Sequence, residues 1–474
     1  MTDRPTSTSV ETNGVNPVPD GERRGKPAGL FAIWFSWNIS ILGISYGIYV
    51  YGLGLSAWQA IVAGVLGYVL SSVLVGILAV GGPRTGLPTL TQTRFAFGLH
   101  GNKFPTFFAY LSNIGWKVTI ITLAATSGAK LFVRLWPGVF ADDQGKESVL
   151  AIVLWFVAVL AVTLTVAVFG HQLIMRVEKW IAWLTSIMTI VFIAMIVPKI
   201  RWDALGDAPD GSVGTFIGGV ILAMTIVGLG FLNYGGDFAR YLPRDTPARG
   251  VIGWTTGGIV LPVAVLLILG VLLAAGDPEM GKAAANDPIG ALTALLPLWF
   301  FIPFTIVIVI SLVAAAITGI YSSGLALLAL GVPLSRAATT LINMAVIAAG
   351  AFYLLFVSDS FLATFQAFLA LISVVMGTMG GIVYKRQGRW TAVVSLVVAT
   401  IVGLGLVTSS DPNIAKVVGF LLSDEAKQGV IGTTNVGVVV AMLIGAGLYA
   451  LLTFVFNLDP PGICDREPVK AAVG

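Results

Sequence analysis

The chain has 474 residues, of which 57% are hydrophobic and only 11% are charged. Soluble domains carry about 25% charged residues, so this composition indicates a protein that is solvated mainly by lipid. The net charge of +4 gives no reason to expect a nucleic-acid partner. One cysteine, Cys464, and two histidines, His100 and His171, exclude a disulfide framework within the chain and argue against a metal centre.

Both ends of the chain are predicted to be tails. Residues 1–26 are polar and rich in Ser, Thr, Pro and Gly, which predicts a disordered tail rather than a signal peptide. Residues 458–474 form the second tail, and residues 27–457 are predicted to be a single transmembrane domain. About twelve apolar runs in this domain are each long enough to cross a bilayer as a helix, so the predicted fold class is all-α integral membrane. The runs cover residues 29–52, 57–80, 105–136, 149–169, 179–198, 214–236, 251–275, 298–329, 338–357, 360–384, 392–409 and 433–456.

The distribution of cations predicts the orientation. Twelve spans place both termini on one side, and 18 of the 27 Lys and Arg residues fall on that side. Seven fall on the other side, and Lys117 and Lys130 lie within the third span. Because cytoplasmic loops carry the excess of cations, we expect a plasma-membrane protein with both termini cytoplasmic.

The run from Gly81 to Trp116 separates the second span from the third. Its first part is dense in Gly, Pro and cations, which predicts a re-entrant or surface connection. A helix can begin at Pro105, which places Trp116 roughly 16 Å along it, near the middle of a hydrocarbon core of ~30 Å. Trp116 is therefore a candidate surface for stacking a ligand. The alternative is that it only fills space between helices.

Glycines interrupt the first and sixth spans, at residues 41–47 and 227–236. Backbone left unpaired at membrane depth is tolerated only where it lines a cavity, and matching interruptions in two halves indicate a transporter site. The pattern predicts inverted repeats at about 29–198 and 214–384, with peripheral helices at about 392–456. Close packing of helices through small residues is the alternative.

The Gly, Pro and Arg pattern closely resembles nucleobase–cation symporter family 1, which includes cytosine, purine, allantoin and hydantoin permeases. The resemblance implies a leucine-transporter-type five-plus-five fold with spans 1 and 6 broken, and it covers residues 30–330 well. It rests on Gly82-Pro83-Arg84-Thr85-Gly86-Leu87-Pro88, Arg94, Phe97-Gly98, Gly101-Asn102, Pro105 and Gly115-Trp116, and on the segments 51–55 and 236–243.

The resemblance also implies a substrate site. A tryptophan matching Trp116 stacks on one face of a planar ligand in this family, and an aromatic of span 6, best matched by Phe231, stacks on the other. Offset stacking adds about 0.5–1.5 kcal/mol beyond area burial. Gly43 of the interrupted first span belongs to the same site. The candidates for reading the ring's donors and acceptors are Asn38, Ser45, Asn113, Thr225, Asn233 and Tyr321.

Two departures from the family bear on the substrate and the coupling ion. Ile120 stands where relatives often carry Gln or Asn, and the alanines at 314–316 remove side-chain oxygens that Na⁺ would need. Backbone carbonyls near Ile41, together with Thr318, remain candidate ion ligands. Lys117 is a cation at the centre of the bilayer, where it costs at least ~2.5–3.5 kcal/mol. It could replace sodium by taking and losing a proton, or it could hold an anionic substrate. The alternative is that it only bonds backbone carbonyls.

Four charged residues at the cytoplasmic ends, Arg84, Arg94, Asp237 and Arg240, are candidates for a gate, or alternatively for topology signals and loop anchors. The first functional hypothesis is import of a small planar nitrogen heterocycle by cation symport. The second is a carrier of a vitamin or a hydantoin- or allantoin-like compound that is proton-coupled through Lys117. An enzyme, a channel and direct use of ATP are not supported. We expect no cofactor besides H⁺ or Na⁺, and a monomer whose partners are its substrate and the bilayer.

Overall fold

The computed structural model describes residues 15–169, 171–226, 228–332, 336–358, 361–382 and 389–456. Helices dominate this part of the chain, and its only β pairing is one isolated bridge between Ala141 and Glu147. The all-α prediction is confirmed.

The first half contains the helices of five apolar spans and the short helices that connect them. They are α1 (Ala28–Asn38), α2 (Leu42–Tyr51), α3 (Ala57–Ala79), α4 (Gly81–Thr85), α5 (Thr89–Gln92), α6 (Arg94–Gly101), α7 (Lys103–Leu135), α8 (Pro137–Phe140), α9 (Val149–Phe169) and α10 (His171–Ile196).

The second half repeats this arrangement and adds the last two spans. Its helices are α11 (Val213–Ile226), α12 (Gly235–Ala239), α13 (Ala248–Gly276), α14 (Pro278–Asn286), α15 (Pro288–Ala294), α16 (Leu298–Ala329), α17 (Arg336–Phe356), α18 (Phe361–Ile382), α19 (Arg389–Gly405), α20 (Asp424–Gln428), α21 (Val430–Thr433) and α22 (Gly437–Ala450).

Nine helices of the described chain are long and apolar enough to cross a membrane, and α1 with α2 forms a tenth span that is bent by 72°. The described apolar parts of α18 and α19 are shorter, at Ala367–Ile382 and Trp390–Gly405. Each predicted apolar run therefore corresponds to helical structure, continuous in most runs and interrupted in the first and the sixth. Large apolar side chains on α10, including Trp183, Ile187 and Ile190, are exposed, as expected for a surface that meets lipid.

Both spans are interrupted, but the first break lies at residues 39–41, just before the glycines of the predicted segment 41–47, which are inside α2. In the first span, α1 ends at Asn38 and α2 begins at Leu42. The Asn38 amide donates to the Trp34 carbonyl at 2.8 Å, so a side chain takes up a carbonyl near the end of α1. In the sixth span, α11 gives way to a 3₁₀ turn at Gly228–Phe231 before α12 begins. The backbone therefore departs from α-helical geometry at corresponding places in the first and sixth spans.

The interrupted first span packs closely on α13. A β carbon at Gly47 would overlap the backbone of Leu267, and one at Gly270 would overlap the backbone of Ile44. Glycine is required at these crossings because the two helix backbones touch. The contact fixes where α2 lies, and it therefore fixes one wall of the central cavity described below.

The N-terminal segment packs on the helices rather than forming a disordered tail throughout. Arg23 is buried, and it donates to the carbonyls of Val18 at 2.8 Å and Pro83 at 3.1 Å. Gly25 donates to the Tyr241 carbonyl at 3.0 Å. Residues 15–26 of the predicted tail thus have packing partners on the helices, because carbonyls near the end of α4 accept from Arg23. Residues 1–14 of that tail lie outside the described part of the chain. We call this side of the molecule the N-terminal face.

A cluster of ion pairs around one lysine marks the other end of the helices, which we call the opposite face. Lys130 of α7 forms ion pairs with Glu147 and with Asp287, the latter at 2.8 Å. Asp287 also caps α15 by accepting from the Gly290 amide at 3.0 Å. The cluster joins α7 to the segment before α9 and to the start of α15.

Candidate functional site

A cavity of about 170 Å³ lies where the two interrupted spans meet α7, α10 and α16. Its walls come from both predicted repeats. The lining residues are Ser36–Gly43, Tyr46, Trp116, Lys117, Ile120, Ile181, Ala182, Thr185, Gly230, Phe231, Tyr234, Ile308, Ser311, Leu312, Ala314, Ala315 and Gly319. Irregular backbone, aromatic rings and a few polar atoms therefore converge on one cavity, which is typical of a small-molecule site.

Trp116 and Phe231 both line this cavity, as the sequence predicts. The Trp116 indole lies edge-on to Phe365 at 5.6 Å and to Phe368 at 6.4 Å. The Phe368 ring comes close because residue 115 is glycine, where a β carbon would overlap it. Phe231 lies edge-on to a buried tryptophan of α1 at 5.2 Å. Packing thus holds each aromatic in place while leaving it in contact with the cavity.

Lys117 reaches the same cavity and is only 5% exposed. Its Nζ lies 3.4 Å from the Tyr234 hydroxyl and 5.8 Å from the centroid of that ring. Within the described residues, no carboxylate oxygen lies within 4 Å of Nζ. The stem of the lysine crosses Gly319 of α16, where a β carbon would overlap Cε.

Two of the predicted polar contacts, Asn113 and Asn233, do not line this cavity. They lie beside a second cavity of about 10 Å³ toward the N-terminal face. The Asn113 side-chain oxygen accepts from the Asn233 amide at 2.9 Å and also from the Tyr234 hydroxyl. The two amides are therefore joined to each other. Helical spacing places Asn113 one turn from Trp116, but the bend of the sixth span covers it.

Ser45 and Thr225 also lie outside the lining of the central cavity. Ser45 is buried, and the face that α2 presents is formed by Gly43 and Tyr46. Consecutive helical residues are about 100° apart, so Ser45 points away from Gly43. Thr225 donates to the Leu222 carbonyl at 2.8 Å. Asn38 does line the cavity, and its side-chain oxygen accepts from the Tyr68 hydroxyl at 3.3 Å.

The candidate ion ligands are only partly brought together. Ile41 lines the cavity at the interruption of span 1, but its carbonyl accepts from the Ile44 amide at 3.0 Å. The Thr318 hydroxyl donates to the Ala314 carbonyl at 2.9 Å. The side chain of Tyr321 lies outside the described part of the chain. No group of three His, Cys, Asp or Glu side chains that could hold a metal occurs in the described residues.

The four predicted gating residues all lie on the N-terminal face. Asp237 accepts from the Thr89 amide at 2.8 Å, which ties α12 to α5. Arg94 donates to the Ala329 carbonyl at 3.1 Å, at the end of α16. Arg240 is buried and donates to the Tyr241 hydroxyl at 3.2 Å, whereas Arg84 is exposed. These contacts connect both halves of the chain at this face.

Sequence reasoning missed one polar pair in the wall. The hydroxyls of Thr185 in α10 and Ser311 in α16 lie 2.5 Å apart and both residues line the cavity. The available signal was that each is a polar residue within an apolar run. Sequence reasoning also missed Trp37, Tyr46 and Tyr234, because the interruptions decide which way these rings point.

Residues 17–387 match the family model described as a permease for cytosine/purines, uracil, thiamine, allantoin. The chain belongs to this permease family. The match covers more than three quarters of the chain, and it confirms the family predicted from the Gly, Pro and Arg pattern. This is a family of transporters, not enzymes.

Known proteins similar to this family member include the putative purine-cytosine permease YxlA of Bacillus subtilis. It is 25% identical over 275 residues, which cover 57% of this chain and 55% of YxlA. Purine-cytosine permease FCY21 of Saccharomyces cerevisiae is 24% identical over 303 residues, 60% of this chain and 52% of that permease. The chain thus spans about half the length of the curated relatives it matches.

A solved structure gives the fold comparison over almost the whole chain. It is Mhp1, a nucleobase-cation-symport-1 family transporter, in a closed conformation with bromovinylhydantoin bound. The TM-score between the two structures is 0.64 at 16% sequence identity, and the comparison covers 98% of this chain and 100% of the Mhp1 chain. This likeness confirms the leucine-transporter-type arrangement of the helices.

Proposed function

We propose that this permease-family chain is a secondary transporter that imports a small planar nitrogen heterocycle, such as cytosine, a purine or a related compound. Transport occurs by cation symport through alternating access, and the chain acts as a monomer. The observation that carries the proposal is that Trp116 and Phe231, from opposite repeats, face one cavity between two interrupted spans. Flat aromatic walls suit a flat ring, because stacking adds to the burial of its area.

The remaining lining supplies a small number of polar groups for orientation. Lys117, Tyr234, and the hydroxyls of Thr185 and Ser311 present donors and acceptors to the cavity. A small planar heterocycle needs only a few such partners around its edge. An isostere that cannot make one of these hydrogen bonds leaves a buried polar group unpaired and binds less well. Gly43 and Ile41 contribute backbone at the interruption of the first span. H⁺ or Na⁺ is the coupling ion.

We propose that the N-terminal face is cytoplasmic and that the protein lies in the plasma membrane. The support is the excess of Lys and Arg in the segments of that face, which include Arg84, Arg94 and Arg240. These residues, with Asp237, sit where the first and sixth spans reach that face, and they form the inner gate. The Asp237 contact with α5 and the Arg94 contact with α16 break or shift when the cavity opens to the cytoplasm.

A second candidate is a carrier of a vitamin or of a hydantoin- or allantoin-like compound, with proton coupling through Lys117. It is favoured by two observations at the cavity. Ile120 contributes an apolar wall where relatives often carry an amide, and the Thr318 hydroxyl is bonded within its own helix. A lysine that gains and loses a proton would then take the place of a bound sodium ion.

A ligand screen tests both candidates. The purified protein is heated with nucleobases, hydantoins, allantoin and B vitamins, with and without Na⁺, and the unfolding midpoint is recorded. The first proposal expects a nucleobase or a close relative to raise the midpoint, and expects Trp116→Ala to remove the effect. A hit confined to vitamins or hydantoins favours the second. The absence of any hit across the panel contradicts both.

A further inference from the structure

We propose that the central cavity selects planar heterocycles that carry a negative charge and rejects cationic ones, with Lys117 as the residue that decides. This inference rests on the proposed function and names the substrate class of the same site. It goes beyond stacking on Trp116, which is indifferent to the charge of the ligand.

The first observation is the charge balance of the cavity. Among the described residues that line it, Lys117 is the only charged side chain. The lysine is 95% buried, since its exposed fraction is 5%, and no described carboxylate lies within 4 Å of its Nζ. A buried cation without a counterion is unfavourable, and a ligand that brings a negative charge relieves that penalty.

The second observation is the number of hydrogen bonds that Nζ makes. A lysine ammonium has three donors, and among the described residues one protein acceptor is seen near it, the Tyr234 hydroxyl at 3.4 Å. That hydroxyl gives its own proton to the Asn113 side-chain oxygen, so its lone pairs point toward Lys117. The Asn113 oxygen already accepts from Asn233 as well. The neighbouring amide is thus occupied, and donors of Lys117 remain for a ligand.

The third observation is that the chain makes room for this side chain. The lysine stem crosses α16 at Gly319, where any β carbon would overlap Cε. The nearest acid along the sixth span, Asp237, accepts from the Thr89 amide at 2.8 Å and does not line the cavity. The lysine is therefore held in the wall by packing, and its side chain lines the cavity.

The test uses matched pairs of probes that differ by one carboxylate: uracil with orotate, and nicotinamide with nicotinate. Dissociation constants are measured on the purified full-length protein by calorimetry at neutral pH. Charge-assisted hydrogen bonds are roughly twice as strong as neutral ones, so we expect the anionic member of a binding pair to bind about 10- to 100-fold more tightly. Thiamine, which carries a positive charge, is expected not to bind.

Lys117→Met keeps the length of the stem and removes the charge. We expect it to weaken the anionic member of a pair about 10-fold more than the neutral member, and a cooperative thermal unfolding transition shows that the variant is folded. The comparison of the two members of a pair on the wild-type protein does not depend on how this variant folds.

The inference is overturned if the neutral member binds and the anion does not, if thiamine binds, or if Lys117→Met weakens both members equally. If neither member of either pair binds and the wider heterocycle screen is also empty, the proposed function fails and this inference fails with it.

Discussion

Lys117 of α7 lies across Gly319 of α16 so closely that a β carbon at position 319 would overlap the Cε atom of the lysine. The two residues come from different repeats, and their contact brings the only charged side chain among the described lining residues into the wall of the cavity. The contact predicts that the effect of adding a side chain at position 319 depends on whether residue 117 is lysine.

Gly319→Ala should therefore destabilise the protein by about 1–3 kcal/mol, because the added methyl group overpacks the site. In a Lys117→Ala background the same change should be nearly neutral, since the space is then free. The measurement is the free energy of unfolding in detergent for the four proteins of the cycle. Gly324→Ala is the matched control on the same helix, where a β carbon would meet only the Thr339 hydroxyl at 3.5 Å. Equal effects of Gly319→Ala in both backgrounds would contradict the packing described here.

Trp116 should contribute to ligand affinity through its ring. Trp116→Leu, which keeps an apolar side chain but has no ring, should raise the dissociation constant of a bound heterocycle about 2- to 12-fold, the range that corresponds to a stacking contribution of about 0.5–1.5 kcal/mol. Trp116→Ala should weaken binding further. Trp58→Leu serves as the control, because Trp58 is 72% exposed on α3 and lies outside the cavity lining. Affinity unchanged in Trp116→Ala would show that the indole only fills space.

The hydroxyls of Thr185 and Ser311 should be coupled across the cavity wall. Hydrogen bonds between membrane helices are worth about 0.6 kcal/mol on average, so Thr185→Val and Ser311→Ala should each cause a small loss of stability. The double variant should lose less than the sum of the two, because they remove the same bond. Thermal unfolding of the four proteins measures the coupling. Strict additivity would mean that the two hydroxyls act separately.

Arg23 should hold the N-terminal segment on the helices. Arg23→Ala removes donors to the Val18 and Pro83 carbonyls, and we expect a loss of about 1.5–3 kcal/mol. Arg23→Lys should recover only part, because an ammonium cannot reproduce the fork of a guanidinium. Arg24→Ala is the control, since Arg24 is exposed and donates to the Gly21 carbonyl nearby in sequence. Limited proteolysis of residues 15–27 and the unfolding midpoint give the readout, and equal behaviour of the two alanine variants would refute the role.

The helical spans and their interruptions could be predicted because they follow from local chemistry. Apolar runs of membrane length form helices, and clustered glycines weaken them, so the break near Gly230 is visible in the sequence. The first break falls at residues 39–41, just before the glycines that suggested it. The position of Trp116 near the middle of α7 follows from helix geometry. Only the family resemblance could predict that Trp116 and Phe231 line the same cavity, because no local sequence pattern relates the third span to the sixth.

The parts of the site that could not be predicted depend on rotation and on partners distant in sequence. Ser45 and Gly43 are neighbours in sequence, but the rotation of α2 turns only Gly43 to the cavity. The bend of the sixth span brings Asn233 onto Asn113 and removes both from the wall. The order of residues 15–26 depends on carbonyls about 60 positions away, which composition alone does not reveal.

The ion pairs of Lys130 restrict how the opposite face can move. One ammonium joins α7, in the first repeat, to Asp287 at the start of α15, in the second, and also to Glu147. Any opening that forms there must either break both ion pairs of Lys130 or move α15 together with α7. Lys130, which lies outside the lining of the cavity, would then contribute to the free-energy cost of admitting a solute from that side.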